Sequence, residues 1–124
     1  MERSTRQRQA IRDVLSEMSR PLSPLEVHEA ALHKVPGIGI ATVYRTLKGL
    51  VEEGQAVPVE LPGEAARYEL AGKKHHHHFH CRDCGKVFEI EGCPGDLSFM
   101  VPKGFRAEAH EIVLYGRCDA CIKA

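Results

Sequence analysis

Apolar positions recur at helical spacing through the first fifty residues and then change to alternation. In residues 4–18, STRQRQAIRDVLSEM, the residues Ile11, Val14, Leu15 and Met18 share one stripe, and Ser4 or Thr5 is available as N-cap. RPLS breaks this helix. Ser23 then caps a second one over residues 24–35, PLEVHEAALHKV, with Pro24 at its first position and Glu26 three residues past the cap. Its inner stripe reads Leu25, Val27, His28, Ala31 and Leu32. PGIG makes a turn. A third helix follows, IATVYRTLKGLVEEG, with Val43, Leu47, Leu50 and Val51 inward and Gly54 as its stop. Three short helices with a turn between the second and third predict a helix-turn-helix.

Beyond the third helix the period shortens. AVPVEL, a PGEAA turn and RYEL fit a two-stranded hairpin, the wing of a winged helix. AGKK, residues 71–74, reads as a hinge. From residue 75, HHHHFHC and KVFEI predict strands flanking a tight CRDCG turn. GCPGDLSFMVPKGF predicts a short, weak helix, EAHEIVLYGRC a third strand, and CDACIKA a tail. The expected fold class is α+β, with a winged-helix domain over 1–70, a hinge over 71–74 and a small α/β domain over 75–124.

Size changes this picture. The chain has 124 residues, 43% of them apolar and none of them tryptophan. A second half of about 50 residues buries too little surface to stand alone and calls for metal and a partner subunit. Charge is balanced, 17 Lys and Arg against 17 Asp and Glu. That excludes a strongly basic coat but permits a local patch at Arg3, Arg6, Arg8 and Arg12, residues that would neutralise phosphates. No apolar run approaches the ~20 residues of a membrane span, and the N-terminus lacks a signal-peptide core. The expected location is the cytoplasm.

Cysteine and histidine are not spread evenly. Cys81, Cys84, Cys93, Cys118 and Cys121 all lie in the last 44 residues. In a cytosolic chain such clustering suggests metal before disulfide. Cys81-Arg-Asp-Cys84 and Cys118-Asp-Ala-Cys121 are two knuckles, and four thiolates make the closed shell of a structural zinc site. With 33 residues between them, the knuckles must join distant strands. A thioredoxin-type redox motif would instead open a helix after a buried strand. Cys93 is the odd thiol, read as a half-buried small apolar residue, with an extra-ligand role as the alternative.

His75, His76, His77 and His78 form a run too far from either end to be a purification tag. On a strand, His76 and His78 point one way, and His75 and His77 the other, so one strand could feed two metal sites. Imidazole alone does not name the metal. Glu69 lies across the hinge from His76 and His78. His110 could meet His75 and His77. Glu91, Asp96 and Glu108 are the carboxylates nearby in sequence. His80 reads as a packed polar residue, His28 as a core histidine, and His33 as a solvated helix-end residue.

RSTRQRQAI, GIATVYRTLKGLVEEG, RYEL, and HHHHFHCRDCGKVFEI followed by HEIVLYGRCDAC together resemble the ferric uptake regulator (Fur) family over nearly the whole chain. The RSTRQR start and the all-histidine run look most like its zinc-sensing branch. The resemblance implies a homodimeric, metal-dependent repressor that binds double-stranded DNA at a palindromic operator. It implies structural zinc at Cys81, Cys84, Cys118 and Cys121. It places a regulatory metal, zinc with iron or manganese as alternatives, at Glu69, His76 and His78. A third site is implied at His75, His77 and His110, usually completed by a helix carboxylate, for which Asp96 is the candidate. Thr42, Tyr44 and Arg45 match DNA-touching positions of the recognition helix. Two departures stand out. Iron- and peroxide-sensing members carry a histidine just before the second helix, where this chain has Arg20-Pro21. Zinc-sensing members often use a hinge cysteine, where this chain has Ala71-Gly72, so the fourth hinge ligand is unassigned.

These parts imply a mechanism. A metal shared across the hinge would clamp it, fixing the spacing of two DNA-binding heads about 34 Å apart. The competing classes are a zinc hydrolase and a metal-storage module. The first needs an open metal position and a general base, and no HExxH is present. The second leaves the helix-turn-helix without a purpose. No catalytic residue is expected.

Overall fold

The structure, a computed structural model, describes residues 2–123. The Arg3 side chain, part of the expected basic patch, lies outside the described residues. The chain divides into two compact units, Met1–Lys73 and Lys74–Ala124.

The first unit opens with helix α1, Glu2–Met18. It runs through Ser4 and Thr5, so neither is the expected N-cap; no glycine or proline interrupts the start. Ile11, Val14 and Leu15 are buried, but Met18 is exposed at the helix end, where Ser19 turns to φ +53°. Helix α2, Pro24–Ala31, carries the expected capping box. Ser23 Oγ accepts from the Glu26 backbone N–H (3.2 Å), and Glu26 Oε1 accepts from the Ser23 N–H (3.0 Å). This helix stops at Ala31, short of the expected Val35. Its buried side is Pro24, Val27 and Ala31. Leu25, expected inward, is 67% exposed, and Leu32 also faces solvent, because both lie on the opposite face with Glu29. Helix α3, Ile40–Glu52, buries Val43, Leu47 and Leu50, and Gly54 follows it at φ +75°.

These helices close one hydrophobic core, to which Leu22 and Ile38 add from the connections. Each fully buried leucine contributes about 1.5–3 kcal/mol relative to exposure. Strands β1 (Ala56–Val59) and β2 (Arg67–Leu70) pair antiparallel as the expected hairpin, with Ala56 opposite Leu70. The RPLS break does more than end α1. Leu22 bridges Tyr68 in both directions (2.9 and 2.8 Å), fastening the α1–α2 connection to the hairpin.

The second unit is a three-stranded sheet ordered β4-β3-β5. Strand β3 (His77–Cys81) pairs antiparallel with β4 (Val87–Ile90) and parallel with β5 (Val113–Gly116). The return to β5 is long. The helix expected over GCPGDLSFMVPKGF is absent but for a 3-10 turn at Ser98–Met100. Pro94, Gly95, Pro102 and Gly104 stand too close together for a regular helix. The expected tail instead forms helix α4, Asp119–Lys123. Apart from Cys81 and Val87, the buried side chains described in this unit are His77 and His80. The architecture is α+β, as expected. No helix among the described residues is long and apolar enough to cross a membrane.

Candidate metal centres and nucleic-acid interface

The CRDCG turn leaves β3 at Cys81 and closes through Gly85 at φ +78°. The other knuckle follows β5, with Cys118 two residues past the strand end and Cys121 on α4. The sheet brings the four thiols together: Cys81 Sγ lies 3.6 Å from Cys121 Sγ, and Cys84 Sγ lies 3.9 Å from Cys118 Sγ. These spacings fit the edge of about 3.8 Å that a tetrahedral zinc–thiolate shell requires at Zn–S distances near 2.3 Å. They are far beyond a disulfide bond, and all five cysteines are free. The Cys84 backbone N–H is the main influence drawing the Cys81 thiol down to about 6, against the effect of burial and with help from the Cys118 N–H. Hydrogen bonding to the Cys118 and Cys81 sulfurs pushes Cys121 up to about 12. Cys81 and Cys121 are thus pushed in opposite directions by their neighbours, and a divalent cation would let both bind as thiolates. Arg117 straps the knuckles together, donating to Asp83 Oδ2 (2.6 Å) and to the Cys121 carbonyl (2.7 Å).

The histidine run divides by parity. On one face, His75, His77, Cys93 and His110 bring one donor atom each within 4.8 Å of the rest. His75 Nε2 is 3.4 Å from His110 Nε2, and Cys93 Sγ lies 3.4 Å from His77 Nε2 and 3.3 Å from His110 Nε2. Burial and then the neighbouring imidazoles of His75 and His110 lower the His77 pKa, keeping it in the neutral form that binds metal. His77 is also the most constrained donor. The Ile112 backbone N–H donates to its Nδ1 (3.2 Å), which puts the neutral ring's own proton on Nε2. For neutral His77 to hold a metal at Nε2, its proton would move to Nδ1 and the Ile112 N–H would lose that acceptor.

On the opposite face the rings of His76 and His78 are 4.8 Å apart. His76 Nδ1 donates to the Lys74 carbonyl (2.7 Å), leaving Nε2 as a lone-pair donor. Glu89, opposite His78 in the β3–β4 register, places Oε1 3.9 Å from His76 Nε2. Sequence reading passed over Glu89. The signal was available, since pairing across a tight turn sets residue 89 beside 78. Glu69 lies on β2 in the first unit, with Lys73 Nζ 3.7 Å from its carboxylate.

Other candidates lie elsewhere. Asp96 is not brought to the His75 cluster; its carboxylate accepts from the Ser98 hydroxyl and N–H, which hold its pKa below the usual range. With no helix to carry Asp96 inward, Cys93 stands there instead, exposed rather than half-buried. Glu91 and Glu108 are exposed. His80 is buried beside the Tyr115 ring. His28, expected in the core, is half-buried at its edge, where Nε2 donates to the Ile38 carbonyl (2.9 Å), and His33 is exposed in the turn after α2.

In the first unit, Tyr44 and Arg45 project from the outer face of α3, and Arg45 donates to Thr42 Oγ1 (3.0 Å). A groove of about 610 Å³ runs between α3 and the hairpin, lined by Tyr44, Arg45, Lys48, Pro58 and Tyr68. Arg6 is exposed, whereas Arg8 is ion-paired with Glu53 just past the end of α3.

The family model described as the ferric uptake regulator family matches residues 2–115. The chain belongs to that family, whose members are metal-responsive transcription regulators. It is 33% identical over 122 residues to the ferric uptake regulation protein of Campylobacter jejuni, covering 94% of this chain and 78% of that protein. It is 32% identical over 124 residues to the zinc uptake regulation protein of Mycobacterium tuberculosis, covering 96% and 94%. Its fold is similar to that of a zinc-bound manganese uptake regulator, with a TM-score of 0.79 and 27% identity, covering 90% of this chain and 87% of that one. Among the described residues, the groups whose donor atoms could hold a metal ion are the thiol quartet and the two histidine faces.

Proposed function

We propose that this chain is a homodimeric repressor that binds a palindromic operator when zinc is available. In this reading Cys81, Cys84, Cys118 and Cys121 hold structural zinc. Glu69, His76 and His78 form the sensing site, with Glu89 in place to supply the missing ligand. His75, His77 and His110 belong to a third site. Tyr44, Arg45 and Thr42 face the major groove, where a guanidinium can fork onto guanine and a ring can pack on a thymine methyl. Arg6 and Arg8 meet phosphates, Arg8 less strongly because Glu53 already engages it.

The observation that carries the zinc reading is the Arg20-Pro21 stretch before α2, where iron- and peroxide-sensing members carry a histidine. Proline offers no ring donor, and Arg20 Nη1 is 3.0 Å from Glu26 Oε2. A guanidinium engaged by a carboxylate cannot ligate metal. Burial opposes ionisation of Glu26, but the Ser23 N–H and the Arg20 charge outweigh it and hold its pKa low, so the pair persists near neutrality. The hinge site must then be completed from the Glu69 and His76/His78 region. Binding there by residues on both sides of AGKK would restrict the hinge and raise the fraction of dimers in the DNA-competent pose. Two carboxylates beside two imidazoles also suit iron(II) or manganese(II), which makes an iron sensor the alternative.

Exposed Phe99, Met100, Phe105, Leu114 and Ile122 on the second unit are large apolar groups that a homodimer would cover. The test is binding to a Fur-type palindrome while Zn(II), Fe(II) and Mn(II) are titrated in turn, with His76→Ala in parallel. Zinc alone should promote binding, and His76→Ala should lose a response of about 5–150-fold. Promotion by iron or manganese alone would move the chain to the other branch.

A further inference from the structure

The third cluster includes Cys93, the odd thiol for which the sequence offers a ligand's role only as the alternative reading. We propose that Cys93 is a thiolate ligand there, completing a site of three imidazoles and one sulfur. The inference rests on His75, His77 and His110 being a metal site, but not on DNA binding or on the metal sensed at the hinge.

Three observations carry it. The first is the spacing. A tetrahedral zinc ion with nitrogens near 2.0–2.1 Å and a sulfur near 2.3 Å has N···N edges of about 3.3 Å and N···S edges of about 3.5 Å. The corresponding distances are 3.4 Å for His75 to His110, 3.4 Å for Cys93 to His77, and 3.3 Å for Cys93 to His110. The second is the lack of a rival oxygen donor, since Asp96 is engaged by Ser98 and Cys93 is the only non-histidine member of the cluster among the described residues. The third is the local chain. Cys93-Pro94-Gly95 turns tightly, with Gly95 at φ +88°, and the Gly95 N–H donates to the sulfur (3.4 Å), fixing it on the side of the imidazoles. Exposure alone would make Cys93 an ordinary surface thiol; its approach to two imidazoles gives it a ligand's place.

A sulfur donor has a consequence that a carboxylate would not. Thiolate with imidazole selects zinc, cobalt or copper over manganese, whereas a carboxylate in the same place admits manganese. The third site of this chain should therefore discriminate against manganese whatever the hinge site senses.

The experiment uses the full-length protein carrying one zinc per chain and counts thiols that react with a chromogenic disulfide, before and after a saturating further addition of zinc. Cys93→Ser runs in parallel, and the readout is the difference between the two proteins. Before addition, wild type should show one more reactive thiol than the variant, and added zinc should abolish that difference. Cobalt(II) added in place of the further zinc should give sulfur-to-cobalt charge-transfer absorption in wild type. Cys93→Asp, which keeps a donor at the position, should lose that absorption while still binding cobalt. A difference of one thiol that persists under saturating zinc, or a cobalt spectrum unchanged in Cys93→Asp, would overturn the assignment. Either result is independent of the DNA-binding test. Reactivity of the four knuckle thiols would count against the structural-zinc reading and cancels in the difference.

Discussion

The two units hold themselves together with different materials. Residues Met1–Lys73 bury Ile11, Leu15, Leu22, Leu47 and Leu50 almost completely, with a capped helix and a pinned hairpin around them. Residues Lys74–Ala124 bury Cys81, Val87, His77 and His80, and leave Phe99, Met100 and Phe105 outside. An apolar core gains from excluding water and needs no cofactor. A core of thiols and imidazoles gains little until a cation joins the donors, and then its folding free energy is largely binding free energy. Apart from Glu69, the candidate metal donors of this chain therefore lie in the smaller unit, where a bound cation would add most to stability, while α3 stands on apolar packing of its own.

Metal removal should separate the units most sharply. Stripping the four-thiol site by chelation, or by Cys84→Ser, withdraws a binding free energy of about 10 kcal/mol or more. Far-UV circular dichroism should keep most of its helical signal, since α1, α2 and α3 lie in the first unit, while hydrogen exchange in β3–β5 becomes fast and the dimer dissociates. Simultaneous loss of all helix would sink the idea that the first unit stands on its own core.

A core truncation should act the other way. Leu47→Ala on α3 should destabilise the first unit by about 2–5 kcal/mol, seen as a lower denaturation midpoint, with metal stoichiometry unchanged. Reduced metal content in this variant would show that the units do not stabilise independently. A milder change tests the same boundary: Ser23→Ala breaks the capping box and should cost about 1 kcal/mol in the first unit alone.

Acid offers the smallest effect and the finest discrimination. Imidazole and thiolate donors must be deprotonated to bind, so the second unit should release metal on acidification below neutrality. Glu26 acts later. Its folded pKa lies below that of an ordinary glutamate, so its contribution is complete above the ordinary value and is lost as pH falls through the folded one. Two separate acid transitions in thermal unfolding are expected, with Glu26→Gln flattening only the lower. A single transition common to metal release and helix loss would contradict the comparison.

Much of this was legible before any coordinates. Ser23, Pro24 and Glu26 name a helix start because the capping box is a local hydrogen-bond exchange. Gly54 marks an end because only a residue without Cβ takes φ +75° freely. The parity of His75–His78 follows from the two-residue strand repeat, whatever the strand packs against. Other features were hidden. Leu25 and Leu32 read as core because hydrophobicity does not say which stripe of a short helix meets a neighbour. Asp96 read as a donor because a helix was expected to carry it, and the prolines and glycines around it forbid that helix. Cys121 sat on an unrecognised helix because CDACIKA is too short for a period to show.

By itself, the sequence determined the element order of the first unit, the two knuckles and the division of the histidines between two faces, all of which depend on spacings within a few residues. Tertiary structure alone decided which donors complete each cluster. Glu89 reaches His76 only through the β3–β4 register, and Cys93 reaches His77 and His110 only through the long return to β5. Register and loop path are long-range properties: they are selected by the summed packing of the whole unit, and no short stretch of residues encodes them.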